Sequence, residues 1–315
     1  MECRSRLATV LFSLIACVPF LLGASARAAG FESQFYYSLD LQRAAKDQYG
    51  PSATLTWVGD HLYDWRAVVR GQFKSLDLKL AVKTQYGSSW TLAAVGVHRY
   101  DWRAVKFANL SYVVLPVMLI ASDRWFDING VRDGLARFQS VLLADQNWYQ
   151  LRAGATFRLL QPLVVYTSLS AADWKHLSDI SADPAHRYDM LYAGKDQYTY
   201  SLPAAGSSLR VAMSPYAGPC PDVSLGAAST ASYALAPQRA TSLVCPPSGP
   251  LDYRCADATY AIGHELGHTF GLNHSCDDYP SDGQCQNSIM QVGKPWDAIL
   301  LKPEIAKLLN SPFFD

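Results

Sequence analysis

Glutamate is the scarcest charged residue of this chain, with four among 315 positions, and only 17% of the chain is charged at all. Neither sign of charge is in excess. Lys plus Arg and Asp plus Glu each number 27, which excludes the basic face of a nucleic-acid binder and the footprint of a protein drawn to acidic membranes. Beyond the first 22 residues no apolar run is long enough to span a bilayer: Val113 to Ala121 is too short and contains Pro116. From Ala29 to Pro219 there is no cysteine, which excludes disulfides over most of the chain. Half of the residues are apolar, so disorder is excluded as well and at least one full core can be buried.

What is present begins with an export signal. Arg4 and Arg6 precede an apolar stretch, Leu7 to Leu22, and Ala24-Ser25-Ala26 and Ala26-Arg27-Ala28 supply small-x-small cleavage sites. Residues 1–28 are therefore expected to be removed, leaving a secreted protein, extracellular or periplasmic, with no transmembrane segment in the mature chain. Leu14-Ile15-Ala16-Cys17 offers lipid anchoring at Cys17 as the minor alternative. Past the signal remain Cys220, Cys245, Cys255, Cys276 and Cys285. In an exported chain such a cluster points to disulfides. Cys276 and Cys285 bracket a polar loop and are the preferred pair; the other three leave one cysteine free, with no basis for choosing which.

Residues 38–111 are a tandem repeat. Ser38 to Lys74 and Ser75 to Ser111 align without a gap at a period of 37, with 21 identities. Each copy opens on SLDL, passes through K-x-Q-Y-G and closes on H-x-Y-D-W-R-A-V. Ser38 and Ser75 are expected helix N-caps, Gly50 and Gly87 helix stops, and Thr54 to Val58 and Thr91 to Val95 short strands. Tyr63, Trp65, Tyr100 and Trp102 are read first as the core of a unit too small to have any other. With Arg66 and Arg103 beside them they also form a candidate binding face for a polysaccharide or cell-surface ligand, duplicated for avidity.

The remainder, 112–315, reads as a mixed α/β domain. Val113 to Ile120 suits a buried strand, and Val131, Leu135, Phe138 and Leu142 mark one helix face. Thr156 to Leu160, Leu163 to Tyr166 and the short Leu209 to Met213 are further strands in a loop-rich region. Pro303 opens a last helix ending near Leu309.

The segment His264 to His274 reads HELGHTFGLNH. His264 and His268, four apart on a helix, project from one face as two imidazoles must to grip one metal. Glu265 can reach a water at that metal without ligating it, the position of a general base. Gly271 can adopt positive φ, ending the helix so that His274 returns as a third nitrogen ligand. Three neutral nitrogens and an open position describe a catalytic Zn2+. Composition alone would yield this string in about one of 10⁵ to 10⁶ such chains, so coincidence is set aside. Gly263 and Gly267, costly inside a helix, suggest close approach by a neighbouring strand.

With Ser288-Ile289-Met290 ending sixteen residues after His274, this motif resembles that of the metzincin clan of zinc metallopeptidases, over about 30 residues. The resemblance implies His264, His268 and His274 as zinc ligands, Glu265 as base and Met290 as the methionine of the Met-turn. It also implies an α+β fold: a metzincin-like zincin catalytic domain with a twisted mixed sheet, an active-site helix and a small C-terminal subdomain, here preceded by two small α/β repeats. Ser275 is shared with matrixins, whereas the long loop carrying Cys276 and Cys285 is similar to pappalysin-type members, and both branches stay open. Val292 stands where astacins and serralysins keep a tyrosine.

Two functions follow as expectations. The first is a secreted zinc endopeptidase acting on protein or peptide substrates; the second is a surface- or carbohydrate-binding protein whose zinc domain is catalytically silent. The intact Glu265 favours the first. Asp277, Asp278 and Asp282 match no spaced calcium loop and are read as an exposed polar loop. His176 and His186 are read as surface residues.

Overall fold

The computed structural model describes residues 30–59, 64–98, 100–107, 110–174, 208–216, 228–229, 233–235, 253–291 and 298–314. The signal segment, His61, Tyr63, His176, His186, Val292, Cys220 and Cys245 lie outside them. The fold is mixed α+β.

The repeats build two small three-stranded sheets. β1 (Phe31–Glu32) and β2 (Tyr36–Ser38) precede α1 (Leu41–Tyr49), β3 (Thr54–Trp57), β4 (Trp65–Val69) and β5 (Gln72–Ser75); α2 (Leu78–Tyr86), β6 (Thr91–Ala94) and β7 (Trp102–Val105) follow. One sheet has the order β3-β4-β5 and the other β2-β7-β6. The strand leading into each helix thus pairs with the last strand of the other repeat: β5 with β4 and β2 with β7. The same reciprocity runs through the side chains. Gln48 bonds both backbone groups of Asp77, and Gln85 bonds both of Asp40 at the same distances, 3.0 and 2.7 Å. The Tyr49 hydroxyl donates to Ser75 O and that of Tyr86 to Ser38 O. The two copies are an internal dimer with an isologous interface, the self-complementary contact typical of twofold pairs.

The helix caps correct the reading of Ser38 and Ser75. Asp40 and Asp77 are the N-caps, accepting from Arg43 N and Leu80 N, and the serines end the leading strands. Carboxylates outrank serine here because the serine backbones are held in the exchanged strand pairs. Gly50 and Gly87 do end the helices, at φ 95° and 99°.

The main sheet is ordered β1-β9-β8-β11-β13-β12, with β10 also on β8. Its strands are β8 (Val113–Ile120), β9 (Arg158–Leu160), β10 (Leu163–Tyr166), β11 (Leu209–Tyr216), β12 (Ala228–Ser229) and β13 (Tyr233–Leu235). All pairs are parallel except β12 with β13. Every residue of β8 is buried, since one face meets the helices and the other meets Ala93, Val95 and Val105 of the second repeat. That two-sided burial explains its unbroken apolar run. β11 is longer than the expected Leu209 to Met213, pairing with β8 through Tyr216.

α3 (Ile128–Ala153) lies on the helical face, capped by Asp127 and stopped by Gly154 in the left-handed region. Val131, Leu135, Phe138 and Leu142 are all buried, as their spacing requires. α4 (Tyr253–Thr269) packs beside it, followed by α5 (Ser275–Asp278) and α6 (Lys302–Leu309). Cys276 and Cys285 form a disulfide across the loop after α5. Among the described residues no helix is long and apolar enough to cross a membrane.

Candidate metal centre

α4 carries His264 and His268 on one face and ends at Thr269. Gly271, at φ +92°, turns the chain back, and Leu272 N–H donates to Gly267 O while its side chain is buried. His274 is thereby returned to the helix. The imidazole centroids lie 4.7 Å (His264 and His268), 5.0 Å (His268 and His274) and 5.4 Å (His264 and His274) apart. One ligand atom from each can be chosen so that all three lie within 4.8 Å of one another, a set able to hold a metal ion.

The hydrogen bonds behind the rings decide their chemistry. His264 Nδ1 is 2.7 Å from Ile289 O, and His268 Nδ1 is 2.8 Å from Leu272 O. A carbonyl only accepts, so both Nδ1 atoms carry the proton and both Nε2 atoms present lone pairs. Those two Nε2 atoms are 3.1 Å apart. A tetrahedral ion with Zn–N arms of about 2.0–2.1 Å places its nitrogens roughly 3.3 Å apart, so the spacing fits. Burial pushes the His264 imidazole down to about 4, against the upward pull of the Ile289 carbonyl, and burial lowers His268 as well. Neutral rings with fixed tautomers are the form a cation requires, and carbonyls at the far nitrogen are the usual outer support.

Glu265 follows His264 directly and is only 9% exposed. Met290 is fully buried, its sulfur so close to Gly267 that a Cβ there would lie 2.3 Å from it. The Ser288–Met290 turn therefore touches α4 twice, by the Ile289 carbonyl and by the Met290 sulfur.

Gly263 and Gly267 correct an expectation. Their close neighbours are not a strand but α3 and that turn: a Cβ on Gly263 would meet Asp145 Oδ1 at 2.4 Å and Ile289 Cδ1 at 2.8 Å. The Tyr149 hydroxyl donates to Gly263 O at 2.7 Å. Asp145 is fully buried and neither carboxyl oxygen has a hydrogen-bond partner among the described residues, so burial holds its carboxyl well above the usual range. At the C-terminal end of α4, Arg210 Nε donates to Thr269 O at 2.6 Å, satisfying an orphan carbonyl with a cation.

Glu304 is a site residue that sequence reasoning missed. Buried in the first turn of α6, it accepts from Ser275 Oγ (2.5 Å), Ser288 Oγ (2.9 Å) and Leu301 N (2.7 Å). One carboxylate thus ties the residue after His274 to the turn that supports His264. Its sequence signals were its rarity and Ser275 beside the third histidine. Asp278 accepts from Lys307 and Asn273, fastening the same segment to α6 and leaving the acidic loop a surface feature.

The repeat motif stands apart from this centre. Trp65 and Trp102 are buried, as the core reading expects, whereas Tyr100 is 52% exposed and lies tilted against Trp65 of the other copy, with ring centroids 5.3 Å apart. Arg66 donates to Trp65 O, and Arg103 to Tyr100 O and Trp102 O. No family model matches the chain, and no curated protein matches it in sequence.

Proposed function

We propose that the chain is an exported zinc-dependent endopeptidase of metzincin type, with His264, His268 and His274 holding the metal and Glu265 as general base. The observation that carries this reading is the pair of Nε2 lone pairs facing each other at 3.1 Å with both tautomers fixed from behind. Support also comes from the third imidazole in reach and from the carboxylate at the next position in the chain.

When bound, zinc supplies Lewis acidity to the scissile carbonyl and to the attacking water. The chain's own residues do the rest. His264 and His268 keep one tautomer, so no proton has to leave them near neutral pH. Glu265 takes a proton from the attacking water as its oxygen joins the carbonyl carbon, then delivers it to the amine nitrogen as the C–N bond breaks. Water and peptide are thus converted to acid and amine with no side-chain nucleophile. Met290 packs beneath the helix and touches no substrate.

The test is cleavage of casein by the mature chain. The reading expects chelator-sensitive cleavage that Glu265→Ala abolishes while keeping zinc. Stoichiometric zinc without cleavage would instead favour the binding protein with a silent zinc domain.

A further inference from the structure

A polar recess of about 480 Å³ lies away from the metal centre, where the second repeat meets the catalytic part of the chain. Phe31, Ser33, Tyr36, Arg103, Gln139 and Gln161 line it. Its backbone borders are already paired: Tyr36 N–H donates to Ser33 O and Gln161 N–H to Glu32 O. The Tyr36 hydroxyl donates to Gln161 O at 2.8 Å. β1 and β2 each end their own sheet beside this recess, and the polar groups that line the space itself are side chains.

Part of the polar lining keeps bonding capacity to spare. Arg103 uses Nη1 on the Tyr100 and Trp102 carbonyls and has no carboxylate partner among the described residues. The amides of Gln139 and Gln161 and the hydroxyl of Ser33 make no bond to other described residues. The nearby acid, Glu32, is taken by Arg158 at 2.6 Å. A guanidinium with no counter-charge among the described residues, two amides, a hydroxyl and two aromatic rings thus converge on a space of small-ligand size. The free edge of the guanidinium suits a carboxylate, amides suit neighbouring hydroxyls, and rings suit the apolar face of a sugar.

We propose that this recess binds one sugar unit bearing a carboxylate, a uronic acid of an acidic polysaccharide, at one site per chain. Gln139 and Gln161 have no counterpart in a second copy, so the site is single although Arg103 is repeated as Arg66. It would hold the exported protein on an acidic polymer, and it does not depend on the metal centre.

The test is calorimetric titration of the full chain with glucuronic acid, glucose and tri-alanine. One glucuronate should bind in about the millimolar range, with glucose at least tenfold weaker. Arg103→Gln and Gln139→Leu should each weaken glucuronate severalfold or more, with unfolding temperature unchanged. Because Arg103 also holds two backbone carbonyls, Gln139→Leu and Gln161→Leu carry the test if Arg103→Gln fails to fold. No glucuronate binding at about 50 mM would overturn the proposal. So would equal binding of glucose, affinities unchanged in the variants, or an Arg103-dependent preference for tri-alanine, which would make the ligand a peptide carboxylate.

Discussion

The Nε2 atoms of His264 and His268 face each other at 3.1 Å, each on a ring whose other nitrogen donates to a main-chain carbonyl. A cation held between the two lone pairs of α4 would bind the folded chain and not the unfolded one, so metal binding should stabilise the fold by mass action.

In the metal-free chain, stability should fall with acid. His264 has a folded value near 4, below the 6.5 of an unfolded histidine, so its contribution is full above about pH 6.5 and lost as pH drops toward 4. The loss from this residue is about 3 kcal/mol, with His268 adding in the same direction. Urea unfolding of the chelated protein between pH 7.5 and 4 measures it. His264→Gln should flatten the slope.

Glu265→Gln keeps the size of the side chain and removes the base. Peptide hydrolysis should fall by about 10³-fold with zinc content unchanged. Metal analysis beside a casein assay reads both.

Glu304→Ala should loosen the centre from behind. Ser275 and Ser288 would lose their shared acceptor, costing about 3 kcal/mol of stability and weakening zinc binding roughly 10–100-fold. Chelator competition measures the second effect separately from unfolding temperature. Unchanged zinc affinity would reduce Glu304 to a structural residue.

Gly263→Ala should destabilise by about 1–3 kcal/mol despite alanine's better helix propensity, because its Cβ would enter the space of Asp145 Oδ1 and Ile289. Gly263→Ala combined with Asp145→Ala should recover part of that loss. Asp145→Asn alone should stabilise the protein at neutral pH. The folded value of Asp145 is raised, so the wild-type group is favourable at low pH and loses stability as pH rises above the unfolded value near 3.9. The advantage of Asn should accordingly shrink toward pH 4, as thermal unfolding at several pH values will read.

Local spacing made the cluster of three histidines legible from the sequence. The three histidines, the Gly271 turn and the Cys276–Cys285 loop all lie within a short stretch, where one helix period and one φ angle decide the outcome. The same holds for the buried face of α3. What depended on distant partners was not legible. Ser38 and Ser75 have the chemistry of caps, but pairing with the other repeat draws them into strands. Ser214, Pro215 and Tyr216 break an apolar pattern, yet register with β8 continues the strand through them. Gly263 and Gly267 announced close neighbours without saying that they were a helix more than a hundred residues upstream and the turn at Ser288–Met290. Glu304 lies 29 residues beyond the serine that it binds.

X-ray absorption at the zinc edge of the Glu265→Ala protein tests the central claim most directly. Three imidazole nitrogens at about 2.0–2.1 Å are expected, with one nitrogen lost in each of His264→Ala, His268→Ala and His274→Ala. Zinc bound through sulfur, or with fewer than three imidazoles in the parent, would contradict the account.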